Sequence, residues 1–204
     1  MRQAAKFLLR EFFVDYSKSL KKNSIMQIIL FLILILIDQL TKHWAVLKLK
    51  DHASIPLIKN VLELRYLENN GAAFGFLQNK QWLFFVITAI VLIVIVYIWI
   101  RIIKQSKKYL QLDPEKIKKK TFSDRICLNY LLVILAAGAI GNLIDRLAHT
   151  YVVDFIYFRL INFPIFNFAD ICVTLSAIFL VIFLIFIYKD DPEFVLLSKK
   201  KNNG

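Results

Sequence analysis

Two cysteines and three histidines are all that the 204 residues supply of these metal-binding side chains. His43, His52 and His149 stand at no ligand spacing to one another or to a cysteine, and HExxH is absent. That argues against a zinc centre, and no other metal or cofactor is called for. GxSxG and a Cys–His signature are also missing, so neither a hydrolase elbow nor a cysteine nucleophile is available. Cys127 and Cys172 fall at opposite ends of two apolar runs, which puts them beyond disulfide reach and leaves two packed thiols. The first apolar run is not followed by a small-residue cleavage site but by DQLTKHWAV, so it reads as a retained anchor and not a removed signal peptide. No internal repeat is evident.

What the chain does have is grease. It is 58% hydrophobic with a mean hydropathy of +0.59, and its apolar residues are gathered in long runs, the mark of a membrane protein. Four runs are near the length that crosses the hydrocarbon core, at 25–46, 82–100, 126–147 and 166–188, and only the second is free of charge. The expected fold is an all-α bundle of four transmembrane helices. VLELRYLEN, at 61–69, alternates apolar and polar residues like a half-exposed strand, and a glycine-alanine turn, NNGAAFGF, begins within it at Asn69. A small β-sheet element over about 48–80 is therefore expected on the outer side of the bundle.

Charge orients these spans. Of 27 Lys/Arg, the leader before Ile25 holds six, the segment 101–125 nine and the tail after Tyr188 four, whereas 47–81 holds five and 148–165 only Arg159. The positive-inside rule puts both termini and the middle loop in the cytoplasm. The organisation is a basic leader (1–24), a four-span domain (25–188) with its basic loop at about 101–125, and a basic tail (189–204). The net charge of +12 comes mostly from these segments, which suit anionic lipid; beyond charge, nothing supports nucleic acid.

The polar residues inside the spans collect at one depth. Asp38 lies thirteen residues past Ile25, about 20 Å along its helix, and Asn142, Asp145 and Arg146 lie about 24 to 30 Å along theirs. Asp170 opens the fourth span, and Asp154 sits in the short connection before it. Helical spacing lets Asp38 with Lys42, Asn142 with Asp145 and Arg146, and Asn167 with Asp170 face the bundle interior in sets. Ion pairs that hold helices together explain Asp38–Lys42 and Asp145–Arg146 as well as function does. Asp154 and Asp170 have no cation near them in sequence except Arg159, which makes them the candidates for chemistry. A proton- or ion-coupled carrier would need polar groups at several depths, and the inner halves offer almost none. A purely structural protein leaves the outer acids unexplained.

Five stretches carry a family resemblance: DQLTK at 38–42, NNGAAFGF at 69–76, GNLIDR at 141–146, VVDF at 152–155 and FNFAD at 166–170. In this order, on spans of this topology, the chain resembles the lipoprotein signal peptidases, signal peptidase II, over about 25–188. The resemblance implies an aspartyl endopeptidase of the bacterial cytoplasmic membrane. Such an enzyme cleaves the signal peptide from diacylglyceryl-modified prolipoproteins just before the lipidated cysteine, near the outer surface, as a monomer in contact with lipid. It implies Asp154 and Asp170 as the catalytic pair. It implies Asp38, Lys42, Asn69, Gly71, Asn142, Asp145, Arg146 and Asn167 as supporting residues. Two carboxylates held close cannot both ionise cheaply, so such a pair shares a proton near neutrality and serves as general base and acid at once.

Overall fold

The computed structural model describes residues 2–71, 81–109 and 119–186. The glycine-alanine turn beyond Gly71, the centre of the basic loop and the tail 189–204 lie outside the described residues. Helix α1 runs from Arg2 to Leu49 without a break, so the basic leader and the first apolar run are one helix. Two strands follow, β1 (Ile55–Ile58) and β2 (Leu62–Asn69), then α2 (Gln81–Tyr109), α3 (Lys119–His149), β3 (Val152–Phe158), a single 3-10 turn (Arg159–Ile161) and α4 (Phe168–Phe186). Among the described residues, three stretches are long and apolar enough to cross a membrane: Asn23–Leu49, Ile126–His149 and Phe168–Phe186. In α2 the described residues give an apolar stretch at Phe85–Arg101.

The described helices are apolar outside, and their interior holds polar groups beside apolar ones. Ile29, Leu32, Leu36 and Leu40 of α1 and Ile178, Ile182 and Phe186 of α4 point outward, while Asp38, Lys42, Asn142, Asp145, Asn167 and Ser176 are buried. In a hydrocarbon solvent an outward leucine loses nothing, so helix association rests on close backbone approach and polar contacts between helices. Two glycines of α3 permit that approach. A Cβ on Gly138 would stand 2.6 Å from the Ala169 carbonyl oxygen, and one on Gly141 would stand 2.5 Å from Asp38 Oδ2. Accordingly α3 is the central helix, packed on α4, α1 and α2.

The sheet is antiparallel in the order β1-β2-β3. It caps the end of α1, where Ala45 and Leu49 form a small core with Val153 and Phe155. The expected strand at 61–69 is there as β2, but Asp154 does not lie in an irregular connection. It is the third residue of β3, opposite Leu67. The alternation that would have signalled this strand is hidden because VVDFIYF is apolar on both faces, its first four residues being buried. The fourth helix starts at Phe168 and not at 166, because Phe166 is held in a β-bridge to Ile156, with N–H···O distances of 2.8 and 3.0 Å.

Candidate active site

Asp154 and Asp170 reach one cleft of about 430 Å³ from different elements, a strand and a helix N-terminus. Asp170 is set by helix capping. Asn167 is the residue before α4, its Oδ1 accepts the Asp170 N–H at 2.9 Å, and Asp170 Oδ2 accepts the Asn167 N–H at 3.1 Å. This reciprocal pair satisfies two orphan donors of the helix start and fixes the carboxyl group at the positive end of the helix dipole. Asp154 is set by strand pairing. With Leu67 opposite Asp154 and Asn69 opposite Val152, Asn69 and Asp154 are diagonal neighbours on one sheet face.

Every oxygen of the two carboxyl groups accepts a hydrogen bond. Asn69 Nδ2 donates to Asp154 Oδ2 at 2.7 Å, Asn167 Nδ2 to Asp154 Oδ1 at 2.6 Å, and Asn142 Nδ2 to Asp170 Oδ1 at 2.8 Å. The orientation of these amides follows from their other ends. Gly71 N–H donates to Asn69 Oδ1 at 2.9 Å, so the Asn69 amino group must face Asp154. Lys42, a donor only, reaches Asn142 Oδ1 at 3.0 Å, so the Asn142 amino group must face Asp170. Asn167 Nδ2 also donates to Asn142 Oδ1, at 3.0 Å, and ties the two halves of the site together.

Behind this layer lies a buried ionic cluster. Lys42 Nζ is 2.9 Å from Asp38 Oδ2 and 3.1 Å from Asp145 Oδ2. Asp38 Oδ1 accepts the Ala169 N–H and Asp145 Oδ2 the Val153 N–H, each at 3.0 Å, so the cluster grips the start of α4 and of β3. The sequence pairing of Asp145 with its neighbour Arg146 is not what forms. Asp145 takes Lys42, and Arg146 turns to the cleft, with Nη1 3.4 Å from the Asn142 carbonyl. One member was missed in the sequence: Gln39 Nε2 lies 3.0 Å from Asp38 Oδ2, 3.1 Å from Asp145 Oδ1 and 3.2 Å from the Gly141 carbonyl. A glutamine between two other polar residues in an apolar run, DQLTK, was the available signal.

Asp154 is 1% exposed. Burial first, then the Asp170 charge, pushes its carboxyl group up to about 7, against the donors of Asn69 and Asn167 and the charge of Lys42. The cleft itself has two characters. Asn69, Arg146, Asp154 and Asp170 give it polar lining, and Phe163, Ile165, Ile171 and Leu175 apolar lining.

A chain with apolar, membrane-length helices around a buried polar cluster that opens on one cleft is a membrane enzyme in form. Two solved chains, each described as a bacterial membrane enzyme structure by the in meso method, share this fold. One, at 2.3 Å resolution, gives a TM-score of 0.60 and 30% identity, covering 86% of this chain and 94% of that one. The other, at 1.9 Å, gives 0.61 and 32%, covering 79% and 93%. The family model for signal peptidase (SPase) II matches residues 30–186, and the chain belongs to that family of peptidases. Among its relatives are the lipoprotein signal peptidase of Clostridium tetani, 39% identical over 163 residues (78% of this chain, 92% of the relative). That of Halalkalibacterium halodurans is 42% identical over 156 residues (74% and 88%).

Proposed function

We propose that the chain is an aspartyl endopeptidase that removes the signal peptide from diacylglyceryl-modified prolipoproteins, with Asp154 and Asp170 as its catalytic pair. The observation that carries this reading is the donor-lined carboxyl pair on a cleft lined by both polar and apolar side chains. Such a cleft suits a scissile peptide bond flanked by acyl chains. In the productive state Asp154 holds the shared proton and donates it in a hydrogen bond to the substrate carbonyl oxygen. Asp170, held by donors at a helix start, takes a proton from the attacking water. As the C–N bond breaks, the proton on Asp170 passes to the leaving amine. Arg146 lines the same cleft and is positioned to orient the substrate backbone. Carboxyl groups supply both acid and base, so no step calls for a metal or cofactor.

The membrane arrangement belongs to the same proposal. The four-span topology counts Phe85–Arg101 as a span and keeps both termini cytoplasmic. The leader, the basic loop at about 101–125 and the tail lie inside, and the sheet and cleft lie at the outer face of the bacterial cytoplasmic membrane. There water reaches the acids while the signal helix and acyl chains stay in lipid, and one copy of the chain suffices. Incubation of the purified protein with a diacylglyceryl-modified prolipoprotein in detergent tests the reading, the expected product being the protein shortened to its lipidated cysteine. Equal cleavage of the unlipidated precursor would refute the role given to the acyl chains, each buried methylene of which contributes about 0.8 kcal/mol.

A further inference from the structure

The catalytic cluster leaves one set of buried polar groups unused, at the other end of the bundle. Helices α1 and α2 both lean on α3 and pack little on each other. Between them runs a cleft of about 280 Å³ lined by all three helices. Its walls are aliphatic and aromatic, yet two primary amides line it, Gln27 of α1 and Asn129 of α3. Gln27 is 4% exposed. The Asn129 Oδ1 atom is buried and accepts no hydrogen bond from the described residues. A buried carbonyl oxygen without a donor costs stability, so this one, beside the Gln27 amide in an apolar cleft, calls for a ligand that carries a hydrogen-bond donor.

The cleft has a polarity gradient. Gln27 and Asn129 lie in the first turns of the apolar stretches Asn23–Leu49 and Ile126–His149, and Trp99 lies at the matching end of Phe85–Arg101. A tryptophan beside amides is the composition of a membrane interface. Away from that end the lining turns to hydrocarbon as far as Ile140. The eleven residues from Asn129 to Ile140 rise about 16 Å, half of a hydrocarbon core and thus the reach of one leaflet's acyl chain. The same end carries the basic segments, six Lys/Arg before Ile25 and nine in 101–125. Arg101 lies over the Tyr97 ring at 5.9 Å.

We propose that this cleft binds an acyl chain of an anionic glycerophospholipid with a hydroxylated headgroup, of the phosphatidylglycerol class, from the cytoplasmic leaflet. A headgroup hydroxyl donates to Asn129 Oδ1, the ester carbonyls accept from the amide N–H groups, and Arg101 at the same end balances the phosphate. The assignment to the cytoplasmic leaflet rests on the topology proposed above; the fit of lipid to cleft does not.

Thermal unfolding of the full chain in detergent, with added lipid, tests this. Phosphatidylglycerol should raise the Tm by about 5–10 °C at a hundredfold excess over its Kd. Phosphatidylcholine of the same chains, which has no hydroxyl donor and no net charge, should give less than half of that rise. In the Gln27→Leu, Asn129→Leu double variant the Tm in detergent alone should increase, since the unpartnered Asn129 oxygen is gone, and most of the phosphatidylglycerol rise should vanish. Ala136→Phe, which fills the cleft and keeps both amides, should abolish the rise with either lipid; it decides the matter if the double variant does not fold. Equal rises with the two lipids, or an undiminished rise in either variant, would overturn the proposal. So would displacement of the phosphatidylglycerol effect by an unlipidated signal-helix peptide, which would make that helix the occupant. The readout is binding and not cleavage, so failure of the peptidase reading would show in the prolipoprotein assay and leave this result standing.

Discussion

At the scale of single residues, the two carboxyl groups and the lysine behind them invite different outcomes. Asp154→Asn and Asp170→Asn should each lower turnover per folded molecule by at least about a thousandfold, and the double variant should be hardly worse, because an amide can neither act as base nor share the proton. Cleavage kinetics on folded, detergent-purified protein check this; a variant within tenfold of the parent would remove the dyad. Lys42→Met should instead act on stability, since it strands Asp38 and Asp145, both buried, without their cation. Breaking a buried pair costs about 3–5 kcal/mol, so the expected result is low yield and a lowered Tm. Whatever folds should also be slower, because Asn142 loses one of the two donors that orient it toward Asp170. For pH, the sign follows from Asp154, whose folded-state pKa is raised to about 7. Its contribution to stability is full below the ordinary carboxylate pKa of about 4 and is lost as pH rises toward 7. The difference in Tm between the parent and Asp154→Asn should therefore shift against the parent from pH 4 to 7 and level off above. Activity should fall above about pH 7 as the shared proton leaves. A pH-independent Tm difference would contradict the shift.

At the scale of elements, the site depends on how closely three helix segments meet. Gly141 faces the Asp38 carboxyl group, and Gly138 faces the Ala169 carbonyl one residue before Asp170. Gly141→Ala should force α1 and α3 apart or displace Asp38, at a cost of about 1–3 kcal/mol, and disturb the Lys42 cluster with it. A lowered Tm in detergent with reduced turnover is the expected pair of readings, and an unchanged Tm would show that the helices can yield. GNLIDR announced its polar residues openly, but nothing in its spelling says which neighbour its glycine touches. The capping box at FNFAD was legible as a local pattern, Asn then Asp three residues on before an apolar run. Strand β3 was not, because both of its faces carry apolar side chains.

At the scale of the molecule, the orientation proposal has a direct test. Nineteen of the 27 Lys/Arg lie in the leader, the 101–125 segment and the tail. Cysteine introduced within 104–120 should thus react with a membrane-impermeant thiol reagent only after the membrane is opened, and labelling in intact cells would invert the topology and the position of the cleft. Here, too, one expectation was refined: α1 continues back through the leader to Arg2.

The sequence by itself determined the membrane class, the helix-forming runs, the strand at 61–69, and the ten polar and glycine positions that the structure gathers at one end of the bundle. It could do so because hydrocarbon is an unforgiving solvent: a charged or amide group within a 20-residue apolar run is costly enough to stand out as a letter. What only the tertiary structure decided is who partners whom. Lys42 serves Asp38 and Asp145 together, Arg146 leaves its sequence neighbour for the cleft, Gln39 joins the cluster, and Asp154 rides on a strand beside Asn69. Those choices are set by distances of about 3 Å between segments a hundred or more residues apart, such as Lys42 and Asn142 or Asp38 and Ala169, and a one-dimensional spacing rule carries no information about them.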